Sequence, residues 1–156
     1  MNKIAVLRIR GNLNVRKENK DTLKMLRLFN KNYCIVIDNN ANYVGMIKKV
    51  KDYVTWGEID KETVELLLKI RGRLAGNKLL TEEYLKEKLN TSIKDFVNDF
   101  FDGKKSFKDI PWLKQFFRLA PPIKGFERGG IKKPFSMGGA LGYRKDNINN
   151  LIKRMS

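Results

Sequence analysis

The sequence predicts an α+β fold, and three observations predict it. Short β-branched runs alternate with amphipathic helical patterns through the first 57 residues. The stretch that follows repeats apolar residues at helical spacing. A final amphipathic segment comes after a stretch too rich in glycine and proline for regular structure.

The elements follow in order. Lys3–Arg10 (KIAVLRIR) is apolar and β-branched with basic residues interleaved, which predicts a strand. Gly11-Asn12-Leu13-Asn14 breaks it. Asp21–Lys31 predicts a helix, with Leu23, Leu26 and Phe29 on one face. Tyr33–Asp38 (YCIVID) is a second strand, and Asn39-Asn40 a turn. Asn42–Val50 places Tyr43, Ile47 and Val50 at helical spacing, and Lys48, Lys49 and Lys51 suit the negative end of that helix dipole. Tyr53–Gly57 is a third strand. Each short helix leads directly into a strand, so both helices are expected on one face of a small sheet. Fifty-odd residues bury little core alone, so later segments are expected to help cover it.

The middle of the chain reads as helical. Asp60 is expected to cap a helix running through Arg71, with Val64, Leu67, Leu68 and Arg71 in register. Thr81 is expected to cap Glu82–Leu89. Ser92 with Asp95 resembles a capping box and starts a helix carrying Ile93, Phe96, Val97, Phe100 and Phe101. Pro111 suits a first helical position, and Phe116–Leu119 suits a further strand. Residues 121–145 hold three of the four prolines and half of the glycines, and predict a long extended loop tethered at both ends. Asp146–Met155 returns to helix, with Ile148, Leu151, Ile152 and Met155 on one stripe. The expected organisation is a core over 1–58, a mainly helical extension over 59–120, and a basic loop with its helix over 121–156, packed as one compact unit.

Composition removes several function classes. The chain has 156 residues, about one domain at roughly 150 residues per domain. It has no histidine and one cysteine, Cys34. That excludes a disulfide scaffold, a four-ligand zinc site and any catalytic triad needing an imidazole. No apolar run approaches the roughly 20 residues that span a bilayer. Arg8 and Arg10 interrupt the first apolar stretch too early for a secretory leader, so the cytosol is the expected setting. Gly125-x-x-x-Gly129-Gly130 lacks the Lys-Ser/Thr of a phosphate loop, and Gly138-Gly139 lacks the flanking strand and helix of a dinucleotide fingerprint. Asp38 and Asp52 sit where turn formers and caps sit, and Cys34 reads as an inert core thiol.

Charge gives the positive signal. The net charge is +16, which calls for a polyanionic partner, with nucleic acid ahead of an acidic membrane surface. Residues 1–57 hold 12 basic and 4 acidic side chains, 58–102 hold 8 and 10, and 103–156 hold 13 and 3. The two ends therefore read as contact surfaces and the middle as outward-facing. Lys124, Arg128, Lys132, Lys133, Arg144 and Lys145 alternate with Phe126, Phe135 and Tyr143. Cations neutralise phosphates, aromatic rings stack on unpaired bases, and glycines let backbone approach closely. A second set comprises Arg8 and Arg10 on the first strand, Arg16, Lys17 and Lys20 in the loop after it, and Lys24 on the helix. Lys48, Lys49 and Arg118 complete the candidate RNA contacts. The combination suits irregular folded RNA better than a duplex groove.

These residues carry a resemblance. KIAVLRIRG at 3–11, DTLKMLRLF at 21–29, YVGMIKKVKDYVTWGEID at 43–60, RLAPPIKGFERGGIKKPFSMGGALGYRK at 118–145 and INNLIKRM at 148–155 resemble the universal large-subunit ribosomal protein L-thirty family in its long archaeal/eukaryotic form. The resemblance covers nearly the whole chain and is weakest over 73–117. It implies a small antiparallel sheet in a β-α-β-α-β core related to ferredoxin-like folds. It also implies a structural, non-catalytic role in the large subunit, binding ribosomal RNA beside neighbouring ribosomal proteins, as a monomer in the cytoplasm with no membrane and no cofactor. The alternative reading is a non-ribosomal RNA-binding or nucleic-acid chaperone module.

Overall fold

Strand β1 (Lys3–Arg8) is buried along its whole length, and the rest of the fold is laid around it. The computed structural model describes residues 3–156. Its sheet has the order β4-β2-β1-β3-β5, with β2 at Tyr33–Asp38, β3 at Val54–Glu58, β4 at Phe117–Arg118 and β5 at Gly142–Tyr143. β1 pairs antiparallel with both β2 and β3, Val6 facing Ile35 on one side and Trp56 on the other. β2 and β3 therefore run parallel to each other, and the helix that joins them, α2 (Ala41–Lys49), crosses over β1.

The near-continuous apolar run of β1 suits a strand covered on both faces. Ile4 and Val6 meet Leu23 of α1 (Lys17–Met25), Leu26 just beyond it, and Ile47 of α2. Ala5 and Leu7 point the other way. They meet the layer formed by α3 (Lys61–Leu66), α4 (Glu82–Leu89), α5 (Ile93–Phe101) and α6 (Asn147–Met155). Both helices on one face, with later segments helping to cover the sheet, is the arrangement the sequence predicts; those segments take the opposite face. Cys34 is fully buried, and desolvation pushes its thiol up to about 12.

The β1–β3 core is antiparallel as expected, and the late strand β5 adds one parallel pairing to β3, with Thr55 facing Gly142. β5 arrives after a long connection rather than a hairpin, so nothing forces it to reverse. Several expectations need correction. The first helix is α1 at Lys17–Met25 rather than Asp21–Lys31, so Lys17 and Lys20 lie on the helix and not in the loop. It stops early because Arg27 takes a left-handed φ of 59°, which turns the carbonyls of Leu28 and Phe29 toward β1. Asp60 precedes α3 but makes no side-chain cap. Its backbone N–H instead donates to Asn149 Oδ1 at 3.0 Å, tying α6 to the end of β3. Past Leu66 the helix widens into π turns over Leu67–Arg71. Pro111 starts no helix, since Trp112 turns at a φ of 61°. A helical turn at Phe107–Asp109, with a capping box from Ser106, stands just before it.

Other local signals hold. The Thr81 hydroxyl accepts from Tyr84 N–H at 3.3 Å, and that of Ser92 from Asp95 N–H at 3.2 Å. Ile148, Leu151, Ile152 and Met155 are all buried. Residues 121–145 lack long regular elements, as predicted, but they are coiled back rather than extended. Gly129 N–H donates to Gly138 O at 2.9 Å, and Phe135 N–H to Leu141 O at 2.7 Å. A Cβ at Gly139 would lie 2.0 Å from Lys133 O, so glycine is needed for backbone to pack on backbone.

Gly57 and Gly45 make a matched pair. A Cβ on Gly57 would lie 2.0 Å from the Lys145 carbonyl oxygen, whereas Gly45, on α2, has open space. Gly57→Ala is expected to lower stability by about 1–3 kcal/mol through backbone displacement. Gly45→Ala is expected to raise it by about 1 kcal/mol through helix propensity. Chemical denaturation of both variants reads the difference, and equal midpoints would refute the close approach.

Candidate nucleic-acid interface

Two arginines predicted to face RNA point inward instead. Arg8 continues the Ile4-Val6 face of β1 beyond the apolar core and is 1% exposed. Its Nε donates to Arg10 O at 2.8 Å, Nη1 to Leu28 O at 2.7 Å and Phe29 O at 3.0 Å, and Nη2 to Gly11 O at 3.0 Å and Asn12 Oδ1 at 2.7 Å. All five donors of the guanidinium fork are spent on neutral oxygens. Burial lowers its pKa, against a small rise from Tyr53. The ring of acceptors fixes the loop after β1 and the bend after α1 around one cation.

Arg144, next to β5, is also 1% exposed. Its Nη1 and Nη2 fork onto Glu127 at 2.7 and 3.3 Å, Nη2 also donates to Ala140 O at 2.7 Å, and Nε to Thr55 Oγ1 at 2.8 Å. The Thr55 hydroxyl in turn donates to Gly142 O at 2.8 Å. The guanidinium lies 4.7 Å from the Phe135 ring centre. Burial pushes the Glu127 carboxyl up, but hydrogen bonds from Arg144 and backbone and the charges of Arg144 and Arg154 hold it below its ordinary value. Glu127 is the one carboxylate between residues 118 and 145. Its pairing inward leaves the outer face of this segment purely cationic.

The two basic segments, remote in sequence, meet in space. Ile9, at the end of β1, packs with Ala140 and Leu141, and Phe126 packs against that cluster. A crevice of about 350 Å³ lies at the junction, lined by Arg10, Leu13, Asn14, Lys31, Tyr53 and Ile131. Arg10 stands 5.5 Å over the Tyr53 ring and donates to Asp52 O at 3.3 Å. Leu13 is 92% exposed at the loop tip. Lys31, not among the predicted contacts, lines this crevice. It sits in an Asn-rich turn whose only sequence cue is its charge.

The remaining predicted residues divide. Arg16, Lys17, Lys20 and Lys24 are exposed along the start and outer side of α1. Lys124, Arg128, Lys132, Lys133 and Lys145 are exposed on the coiled segment. Lys48 and Lys49 are exposed at the end of α2. Arg118 lies on β4, at the opposite edge of the sheet from β5, about 19 Å away at the usual strand spacing. It lies over the Tyr33 and Phe116 rings, apart from the other predicted residues. Phe126 and Phe135 are half-buried against the protein. Of the three predicted aromatics, Tyr143 alone stays open. Its hydroxyl donates to Glu58 Oε1 at 2.6 Å, and that bond, with some burial and the charges of Glu58 and Asp146, pushes its pKa to about 12. Among the described residues no group of three carboxylate or thiol side chains is placed to hold a metal. Asp38 is instead paired with Lys3.

Two outcomes check these networks. Arg8→Ala strands five oxygens in a closed site and is expected to lower stability by about 3 kcal/mol or more; an unchanged unfolding midpoint would remove Arg8 from this role. Folding holds the Glu127 carboxyl below its ordinary value of 4.5. Its stabilising contribution is therefore complete above that value and lost as pH falls through the lowered one. Thermal melts between pH 6 and 3 are expected to fall more steeply for the native chain than for Glu127→Gln, and parallel curves would refute the linkage.

Comparison with known proteins gives a consistent result. Residues 4–54 match the family described as Ribosomal protein L30p/L7e. The large ribosomal subunit protein uL30 of Methanococcus vannielii is 55% identical over 151 residues, 97% of each chain. That of Methanopyrus kandleri is 49% identical over 148 residues, covering 94% of this chain and 99% of its own. That of Nanoarchaeum equitans is 49% identical over 150 residues, 96% of each. Identity near one half across almost the entire length is far beyond what a shared fold alone produces, and the chain belongs to the ribosomal protein L30p/L7e family.

Proposed function

We propose that the protein is a structural constituent of the large ribosomal subunit that binds ribosomal RNA and holds converging RNA segments in place. The observation that carries this reading is the meeting of two remote cationic segments at the Ile9–Ala140–Leu141 contact. Exposed Arg16, Lys17, Lys20 and Lys24 lie on one side and Lys124, Arg128, Lys132, Lys133 and Lys145 on the other. A surface of this kind neutralises phosphates of two RNA strands at once. Arg10 and the crevice beside it lie between the two sets, and Tyr143 offers a neutral ring and hydroxyl. Lys48, Lys49 and Arg118 add outlying phosphate contacts. Arg8 and Arg144 act through the backbone they shape rather than by touching RNA.

The names of the archaeal relatives, all large-subunit proteins, support this reading. The role is structural rather than enzymatic, and neighbouring ribosomal proteins are partners. It places the chain in the cytoplasm with the ribosome, as a single copy. Among the described residues no helix is long and apolar enough to cross a membrane. Residues 1–58, 59–120 and 121–156 work as one unit in this reading, because the RNA surface needs both ends of the chain.

The test uses charge reversal on the coiled segment. The native chain is expected to sediment with the large subunit at high salt. Lys132→Glu/Lys133→Glu is expected to fold normally, to dissociate at lower salt and to bind ribosomal RNA with a logarithmic salt slope reduced by about 1.5. A native chain that stays at the top of the gradient, or a double variant indistinguishable from it, would overturn the assignment.

A further inference from the structure

We infer that Trp112 and the cations around it form a second RNA site on the far layer of the protein, a platform on which one unpaired nucleobase stacks. The inference rests on the ribosomal reading above. Trp112 is 76% exposed, and its backbone sits at a φ of 61°, a region bulky side chains rarely occupy. Among the described residues its ring stacks on no aromatic or cationic side chain.

The surrounding backbone holds the residue rigidly. The Trp112 carbonyl accepts from Ala75 N–H at 3.0 Å, and Lys114 N–H donates to Arg73 O at 2.9 Å. Leu113 is buried between them and bridges to Leu74. The Pro111 carbonyl accepts from the Tyr84 hydroxyl at 3.0 Å. Leu74 N–H donates to Lys78 O at 2.8 Å and closes a tight hairpin, so Arg73, Lys78, Lys114 and Trp112 share one small ladder. The ladder leaves directly from the π turns at Leu67–Arg71, a distortion that recurs at functional sites.

The local charge selects the ligand. The ladder segments 73–80 and 110–114 hold three cations, Arg73, Lys78 and Lys114, and no carboxylate. Among the described residues Arg73, Lys78 and Lys114 form no ion pair. A tryptophan anchor in a protein interface sits where lysine is depleted. An exposed ring on a ladder that also carries Arg73, Lys78 and Lys114 has the composition of a single-stranded nucleic-acid platform, where the ring takes a base and the cations take its phosphates.

The test follows tryptophan emission in the full chain with large-subunit ribosomal RNA as the probe. The chain has two tryptophans, so Trp56→Phe leaves Trp112 as the sole reporter. Ribosomal RNA is expected to quench its emission by more than half. Trp112→Ala is expected to bind about tenfold more weakly with an unchanged salt slope, and Trp112→Phe to keep most of the affinity. Unquenched emission together with full affinity of Trp112→Ala, while the native chain binds RNA, would overturn this inference alone. Emission that responds only to added ribosomal proteins would assign the ring to a protein neighbour and also overturn it. A native chain that does not bind the RNA would overturn the ribosomal reading and this inference with it.

Discussion

The Arg144–Glu127 ion pair governs the shape of the whole cationic end of the molecule. A segment with six glycines and three prolines has little apolar surface of its own to bury. Beyond the small Ile9–Ala140–Leu141 cluster its fold leans on polar contacts, and a forked arginine supplies several at once. Arg144 gathers Glu127, Ala140, Thr55 and Phe135 around one guanidinium, so the coiled segment and β3 share a single anchor. Removing the Arg144 charge from solvent is costly. The return is a defined surface geometry in a stretch whose composition favours disorder.

Arg8 performs the same task at the other end without a carboxylate. Five neutral oxygens from two loops close on it, so a positive charge stays buried with no ion pair. The exposed lysines and arginines can then be arranged on loops that would otherwise wander. Inward-pointing arginines build the scaffold, and outward-pointing ones present the charge.

Much of the fold was legible because its signals are local. Strands β1 to β3, the caps at Thr81 and Ser92, and the apolar stripe of α6 all follow from neighbouring residues. The failures came from contacts made at a distance. The early end of α1 depends on a left-handed Arg27 and on Arg8, 19 positions away. The direction of β5 depends on a long connection that no period encodes. At the candidate site, net charge and clustering pointed to two segments that the fold brings together. They could not tell a buried arginine from an exposed one, because that depends on which remote oxygens surround it. Phe126 and Phe135 went inward for a related reason: each found an apolar or cationic partner across the fold. Trp112 drew no notice in the sequence because Arg73 and Lys78, which share its ladder, lie more than thirty positions before it.

The pairing of β3 with β5 joins residues 87 positions apart. Such long-range contacts slow folding and come late in it. During synthesis the β1–β3 sheet can pair well before β5 leaves the ribosome that is making it. Until then Ile9 lacks Ala140 and Leu141, and the two cationic stretches have no fixed relation. The growing chain therefore carries its positive charge as a dispersed field rather than a shaped surface. The shaped surface is complete only once β5 has paired with β3.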